Sequence, residues 1–252
     1  MILRYFSDLH LEFIKPHKLN KLIKKIPIDK DSINEICILA GDIGNPYSIN
    51  YDVFMKFIST NFKKSFVIAG NHEYYNNKKT IDETTAFLKE YFNNFDNISF
   101  LDNSYEYYEN YYFIGTTLWS KITDFSNEIN DLYAIPNFNY IKYNELNNVC
   151  INFLNEVLQN INTQCVIITH HVPSFSLIHQ KYKTANLINL NQWFYCDMDN
   201  FISSKKDKIK CWIYGHTHTS SNIIINEIPF LCNPIGYPNE NFNINFKTTI
   251  VI

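Results

Sequence analysis

The sequence predicts an α/β fold, a four-layer αββα sandwich in which two mixed β-sheets are flanked by helices. The first observation behind this prediction is a recurring short apolar run, rich in Val, Ile and aromatic residues, as is typical of a strand buried on both faces. The second is that apolar residues at helical spacing separate several runs, as in βαβ units with right-handed crossovers. The five runs are Ile2–Phe6, Ile36–Ala40, Phe66–Ala69, Cys165–Ile168 and Cys211–Tyr214.

Three helices are predicted between these strands. Apolar side chains recur at intervals of three and four from Tyr51 to Ile58, and again from Leu146 to Leu158. A third helix is predicted from its first turn, because Thr80-Ile81-Asp82-Glu83 has the pattern of a capping box. In that motif the Thr hydroxyl and the Glu carboxylate each accept a backbone N–H that would otherwise lack a partner. The helix should then continue through Phe92.

Antiparallel strands are predicted beside the parallel ones, which makes both sheets mixed. Two pairs of short apolar or aromatic segments flank two-residue polar turns, Glu109-Asn110 and Asn226-Glu227, and each pair predicts a β-hairpin. One further strand is predicted at the end of the sequence. The predicted antiparallel strands are Tyr105–Tyr108, Tyr111–Ile114, Ile223–Ile225, Ile228–Leu231 and Thr248–Ile252.

Length and composition fit one domain over residues 1–252. The hydrophobic fraction is 46% and the charged fraction 19%, a composition that supplies a core and excludes a disordered chain. No run approaches the roughly 18 apolar residues of a membrane span, so we expect no membrane partner. The 22 basic and 25 acidic residues give a net charge of −3, which excludes a broad basic footprint for duplex nucleic acid but not a local patch. Irregular insertions are expected near 119–143 and 173–195, where periodicity is weak.

The N-terminal sequence and the cysteines predict a cytoplasmic protein. The apolar segment Met1–Phe6 runs directly into polar residues, so it lacks the longer apolar core and cleavage site of a signal peptide. The six cysteines include no C-x-x-C pair and lie within or near predicted strands and helices. We therefore expect six buried free thiols rather than disulfides or a zinc site.

Polar motifs follow all five apolar runs, at the carboxyl end of each predicted strand. In α/β sheets this edge is where ligands bind, because loops from separate strands converge there. Each motif alone is a weak signal, since a turn, an N-cap or a surface histidine accounts for it. The motifs are Asp8-Leu9-His10, Gly41-Asp42, Gly70-Asn71-His72-Glu73, His170-His171 and Gly215-His216-Thr217-His218.

Together these motifs predict a metal centre. Carboxylate, amide and imidazole donors without thiolates suit Mn, Fe, Co, Ni or Zn rather than Ca or Mg alone. In Asp-x-His and His-x-His, alternate residues of an extended chain project to the same side, so both members should reach one cavity. Seven donors are too many for one tetrahedral ion. They suit two ions that share a bridging carboxylate.

The ordered set D-x-H, G-D, G-N-H-E, H and G-H-x-H resembles the calcineurin-like metallophosphoesterase superfamily, in particular its small bacterial and phage-type members. The resemblance spans Asp8 to His218. It implies a phosphoesterase with two divalent transition-metal ions, manganese foremost and Fe, Zn, Co or Ni as alternatives. It also implies that one ion takes Asp8, His10, Asp42 and His218, and the other Asp42, Asn71, His170 and His216.

A mechanism follows from that implied arrangement. Two nearby cations repel each other, and a shared carboxylate and a shared hydroxide offset the repulsion while the hydroxide attacks phosphorus. His72 directly follows the implied ligand Asn71 without being one, so we assign it as general acid for the leaving oxygen. Glu73 is either a partner that supports the metal site or a carboxylate at a helix start. His170, the first residue after its strand, is favoured over His171 as the ligand.

The substrate is predicted only as a small phosphoester, with a preference for a small diester or a nucleotide. Phosphoprotein phosphatases of the superfamily carry Arg residues where this chain has Ile43-Gly44 and Glu73-Tyr74. Tyr74, Tyr75 and Trp119 either stack on a base or pack in the core. The alternative function is a non-catalytic metal-binding scaffold, and the sequence does not predict the oligomeric state.

Overall fold

A computed structural model describes residues 1–28, 32–76, 78–125, 129–238, 240 and 245–252. It contains two mixed β-sheets with helices outside them, as predicted. The first sheet has the strand order β11-β1-β2-β3-β4, with β11 antiparallel to its neighbour and the others parallel. The strands are β1 (Ile2–Phe6), β2 (Ile36–Ala40), β3 (Lys64–Ile68), β4 (Ile98–Phe100) and β11 (Thr249–Val251).

The second sheet has the order β5-β6-β7-β8-β10-β9. Its four inner strands are parallel, and the edge strands β5 and β9 pair with them antiparallel. All these strands except the exposed hairpin arms are buried on both faces, which is why they appear as continuous apolar runs. The strands are β5 (Ser104–Tyr108), β6 (Tyr111–Thr116), β7 (Cys165–Thr169), β8 (Ile209–Ile213), β9 (Ser221–Ile225) and β10 (Ile228–Cys232).

Helices cover the outer faces of the sheets. Thr80 and Glu83 form the predicted capping box, so α3 begins where the sequence placed it. Four elements were not predicted, namely α1, α4, α6 and the short strand β4, because each is too short for its periodicity to stand out. The helices are α1 (Pro16–Ile23), α2 (Ile49–Asn61), α3 (Ile81–Phe92), α4 (Asp131–Ala134), α5 (Tyr140–Asn160) and α6 (Asp199–Lys205).

One layer of the core lies between the two sheets. Leu3 and Tyr5 of β1 belong to it, with Phe66 of β3 and Phe113 of β6, whose rings stack at 4.1 Å between centroids. The opposite faces of the strands pack beneath the helices, as Phe6 does. Alternate side chains of each strand therefore enter two different apolar layers, one between the sheets and one beneath the helices.

The two predicted hairpin turns are present. Glu109 and Asn110 have φ of 45° and 73°, and Asn226 and Glu227 have φ of 51° and 69°. Two consecutive left-handed residues make the type I′ turn that matches strand twist. β11 pairs with β1 and is therefore an edge strand of the first sheet, not a third strand beside the second hairpin.

The two predicted irregular segments contain little regular structure. Residues 173–195 form three short 3₁₀ turns, Phe175–Leu177, Gln180–Tyr182 and Ile188–Trp193. The segment near 119–143 includes residues 126–128, which lie outside the described residues. Gln192 joins the two segments, because its Oε1 accepts the backbone N–H groups of Thr123 and Asp124 at 2.8 and 3.0 Å. Among the described residues, no helix is long and apolar enough to cross a membrane.

A buried ion pair anchors β1, and its loss should destabilise the fold. The Arg4 guanidinium lies 2.6 and 2.8 Å from the Glu35 carboxylate, and both side chains are buried. Glu35→Ala should lower the free energy of unfolding by about 3–5 kcal/mol, because it leaves a buried cation without its partner. Urea unfolding measures the change. Lys56→Ala, which removes an exposed partner of Asp52, should leave the midpoint almost unchanged, and an equal shift in both variants would contradict the prediction.

Candidate metal centre

The seven predicted ligand residues meet at one edge of the two sheets. Each follows the carboxyl end of a parallel strand: β1, β2 and β3 in the first sheet, and β7 and β8 in the second. Five of the side chains are buried, and the two from the loop after β8 are partly exposed. Residues up to 210 positions apart are thereby placed within one site. The residues are Asp8, His10, Asp42, Asn71, His170, His216 and His218.

The first group of donor atoms comprises Asp8, His10 and His218, all within 4.8 Å of one another. The Nε2 atoms of His10 and His218 face each other at 3.0 Å. His218 Nε2 lies 3.4 Å from Asp8 Oδ1, and His10 Nε2 lies 3.9 Å from Asp42 Oδ2. This group provides three nitrogen and oxygen donors, and Asp42 faces it across the His10 Nε2 atom.

The second group comprises Asp42, His170 and His216, again within 4.8 Å. His170 Nε2 lies 3.3 Å from Asp42 Oδ2, 3.1 Å from Asn71 Oδ1 and 3.2 Å from His216 Nδ1. The same oxygen of Asp42 therefore faces both groups. The structure brings all seven predicted ligand residues together, and their division between two ions stays a prediction.

The donor atoms fit divalent cations. Two pairs of imidazole nitrogens face each other, His10 with His218 at 3.0 Å and His170 with His216 at 3.2 Å. In the absence of a cation, one nitrogen of each pair must carry a proton and donate it to the other. Burial works to lower the pKa of His170, but the Asp42 carboxylate outweighs it and raises that pKa to about 10. Burial drives the pKa of His216 well below its usual range. Nitrogen and oxygen donors without thiolates match Mn, Fe, Co, Ni or Zn.

The backbone of the site differs from the extended chain assumed in the sequence argument. His-x-His and Asp-x-His were expected to project to one side because alternate residues of a strand do so, and that reason is wrong. Five site residues instead adopt left-handed backbone, which is unfavourable for residues other than glycine and clusters at functional sites. They are Asp8, His10, Asp42, His216 and His218, with φ between 48° and 68°.

Two glycines let the loops approach each other. Gly41 has φ of 82°, a region that favours glycine. At Gly70 a Cβ atom would collide with the Asp42 carboxylate and with its backbone nitrogen. The left-handed backbone therefore accounts for Gly41, whereas close packing accounts for Gly70.

Glu73 ties two of these loops together. Its carboxylate accepts backbone N–H groups from Asp42 at 3.0 Å, Ile43 at 2.7 Å and Gly70 at 2.6 Å. Burial, followed by the charge of Asp42, raises the pKa of Glu73 to about 7. Of the two interpretations left open by the sequence, the geometry matches a residue that supports the site.

His170 and His171 point in different directions. His170 Nδ1 lies 3.0 Å from the Ala40 carbonyl oxygen, which leaves Nε2 directed at the metal-ligand groups. His171 places its ring nitrogens against the Thr117 carbonyl and the Tyr143 hydroxyl, both at 3.2 Å. Burial lowers the pKa of His171 to about 3, so it is a neutral core histidine.

His72 lies beside both groups. Its backbone N–H donates to Asp42 Oδ1 at 2.8 Å, its Nδ1 lies 2.9 Å from Glu12 Oε1, and its Nε2 lies 3.2 Å from the Tyr237 hydroxyl. The Tyr75 ring stacks on it at 4.2 Å. The ring is also near enough to His10 and Asp42 to form a third group of possible ligands.

Sequence reasoning missed four residues of the site. Glu12 contacts both His10 and His72, and Glu240 contacts His218 Nδ1 at 2.6 Å. Asp131 accepts hydrogen bonds from Asn71 Nδ2 at 2.9 Å and from the Tyr75 hydroxyl. Glu12 stands two positions after His10, which is a usable signal, whereas nothing in the local sequence marks Asp131. The four residues are Glu12, Asp131, Tyr237 and Glu240.

The aromatic residues proposed for base stacking separate into two sets. Tyr74 and Trp119 are buried in the core. Tyr75 instead lines the cavities beside the site. Core packing thus accounts for two of the three.

A model of the calcineurin-like phosphoesterase family matches residues 4–220, a range that includes every strand motif of the site. The chain belongs to this family. Its members hydrolyse phosphoric esters with divalent metal ions, so the predicted metallophosphoesterase is confirmed at that level. The match also places the observed donor groups within the family's domain.

Other known proteins resemble this phosphoesterase. The uncharacterized protein L509 of Acanthamoeba polyphaga mimivirus is 35% identical over 267 aligned positions, covering 97% of this chain and 94% of that protein. Phosphopantetheinyl hydrolase from Mycobacterium tuberculosis has a similar structure, with a TM-score of 0.73, 14% identity, and coverage of 95% of this chain and 93% of that one. A putative 5′-nucleotidase from Staphylococcus aureus has a TM-score of 0.50 at 13% identity, with coverage of 93% of this chain and 48% of that one. At such identities the structural likeness shows the fold alone.

Proposed function

We propose that the chain hydrolyses a small phosphodiester or a nucleotide, using two divalent transition-metal ions, manganese foremost. The observation that carries this proposal is that one oxygen of Asp42 faces two separate groups of donors. One ion would be held by Asp8, His10, Asp42 and His218. The other would be held by Asp42, Asn71, His170 and His216. When bound, the ions supply the Lewis acidity that activates water and offsets charge on the phosphoryl oxygens.

The chain's own side chains supply the remaining chemistry. Glu12 holds Nδ1 of His72, so Nε2 is the nitrogen that can hand a proton to the leaving oxygen. The Tyr237 hydroxyl is within 3.2 Å of that Nε2 and can orient the leaving group beside it. Asp42 fixes the backbone of His72 through its second oxygen, which couples the acid to the metal site.

Two cavities meet at His72, Tyr75 and Tyr237, and this supports a diester. One of about 550 Å³ borders the donor groups, and the other, of about 790 Å³, is an open surface depression beyond His72. A diester has two organic groups, one for each side of the reacting phosphate. A nucleotide would place its nucleoside in one of them.

Hydrolysis of bis(p-nitrophenyl) phosphate after loading with manganese tests the proposal. We expect turnover that a chelator abolishes and that added manganese restores. Turnover of neither this diester nor p-nitrophenyl phosphate would favour the alternative, a metal-binding scaffold without catalysis.

Asp131 should position the proposed ligand Asn71. Because Asp131 and Tyr75 engage the amide nitrogen, the amide oxygen is turned toward His170. Asp131→Leu removes the charged partner of the amide and should weaken binding of the second ion about 10–100-fold, as loss of an outer partner typically does. Calorimetric titration with manganese measures this effect on the second binding step. Tyr75→Phe keeps the carboxylate and should have a much smaller effect; equal losses in both variants would assign the effect to Tyr75.

We also propose a cytoplasmic location, which the state of the cysteines supports. All six are buried and free in the structure. Thiol titration of the denatured, non-reduced protein should therefore find six thiols per chain. Two or more missing thiols, confirmed as disulfides by mass, would contradict a reducing compartment.

A further inference from the structure

The cavity of about 550 Å³ is divided into a donor-rich side and an apolar side. Its donor-rich side is the edge of the metal-ligand groups, including Asp42 and His216. Its apolar side comes mainly from the segment 173–195, with one residue from the other irregular segment. The apolar lining consists of Ile129, Ile178, Leu187, Leu190, Trp193 and Phe194.

The histidines of this cavity, His72, His216 and His218, lie on its donor-rich side with the proposed metal ions, so its described apolar residues offer no cation. Among the described residues that line it, none is Lys or Arg, whereas Asp131 and Glu240 are acidic. Lys181 and Lys183, the cations of the same segment, do not line it. An anionic group placed against the apolar wall would lose water without gaining a cation, and that cost disfavours a second phosphate or a carboxylate at the wall.

The apolar wall is held in place before any ligand binds. Gln192 lies between the wall residues Leu190 and Phe194 in sequence, and its Nε2 donates to the Asp124 carbonyl at 2.6 Å. Its Oε1 accepts the neighbouring backbone N–H groups of the other irregular segment. Phe194 packs its ring 5.1 Å from the His216 ring, so the wall continues directly to the donor groups. A preformed wall reduces the ordering cost of binding.

We infer that this cavity selects a phosphoester that carries one phosphate and an uncharged, largely apolar organic group. The phosphate lies at the donor groups, and the organic group lies against Leu187, Leu190 and Phe194. This inference rests on the proposed function, since it takes the phosphate to bind at the metal centre. It excludes nucleoside polyphosphates and polynucleotides as preferred substrates, because additional phosphates that reach the apolar wall find no Lys or Arg among its described residues.

Binding of three phosphonates to the manganese-loaded protein tests the inference without relying on turnover. Methylphosphonate, butylphosphonate and 4-phosphonobutyrate share the metal-binding group and differ in the attached chain. A fully buried methylene is worth roughly fourfold in affinity. For three partly buried methylenes we expect butylphosphonate to bind about tenfold more tightly than methylphosphonate in calorimetry. The terminal carboxylate of 4-phosphonobutyrate should cancel that gain.

Two lysine variants on one 3₁₀ turn sharpen the test. Leu190→Lys places a cation in the wall and should reverse the preference, so that 4-phosphonobutyrate binds more tightly than butylphosphonate. Ile188→Lys makes a matched change on an exposed residue that does not line the cavity and should leave the wild-type order intact.

The outcomes distinguish failure of this inference from failure of the proposed function. Equal affinity for all three phosphonates, or tighter binding of 4-phosphonobutyrate by the wild-type protein, would overturn the inference while leaving the metal-centre proposal standing. If none of the three phosphonates binds, both the inference and the metal-centre proposal are overturned. The expected order without turnover of any ester would sustain the cavity's selectivity and reject catalysis.

Discussion

Asp42→Asn should remove most of both metal ions from the protein. The Oδ2 atom of Asp42 lies 3.9 Å from His10 Nε2 of the first group and 3.3 Å from His170 Nε2 of the second, and no other described carboxylate has such a contact with a histidine ring nitrogen of each group. A neutral amide cannot offset two nearby cations, so we expect fewer than one ion per chain in place of two. Elemental analysis after gel filtration measures the stoichiometry.

A matched variant separates this effect from a general loss of charge. Asp96→Asn makes the same chemical change on an exposed residue far from the donor groups in sequence and should retain two ions. Two ions retained by Asp42→Asn would rule out the bridging assignment. Unfolding of the variant in its metal-free form is checked by circular dichroism, which should match the metal-free wild-type protein.

His72→Ala should retain both metal ions, but its turnover rate should fall about 10²–10⁴-fold. General acid catalysis typically contributes a factor of this size. The ions should remain because the two ring nitrogens of His72 contact Glu12 and Tyr237, which are not proposed metal ligands. The loss should depend on the leaving group, because p-nitrophenolate leaves without a proton whereas an alkoxide does not. Rates for p-nitrophenyl and alkyl esters measure that dependence.

Two comparisons make the role of His72 testable. Asn71→Ala should weaken the second ion and slow all leaving groups alike, with partial rescue by excess manganese. His17→Ala removes an exposed histidine outside the site and should change nothing. If His72→Ala strips an ion, the third group of His10, Asp42 and His72 is a real ligand set and the acid must be sought elsewhere.

The sequence by itself determined most of the strands and the kinds of donor side chain that meet at their ends. The run Ile36–Ala40 is apolar along its whole length because β2 is buried on both faces, so its bounds could be read directly. The donors follow such strands, and parallel strands end at a common edge, so their convergence could be predicted without coordinates. The capping box at Thr80 is equally local, since both of its hydrogen bonds form within four residues.

The tertiary structure alone decided how those donors face one another and what surrounds them. His170 and His171 are neighbours with the same side chain, and only the Ala40 carbonyl and the Tyr143 hydroxyl distinguish their directions. Asp131 reaches Asn71 across 60 positions of sequence, and the cavity wall forms where two irregular segments are joined by Gln192. Such contacts have no period and no local pattern. They depend on where separate segments meet in space, and that is fixed by burial and packing of the whole chain rather than by any stretch of it.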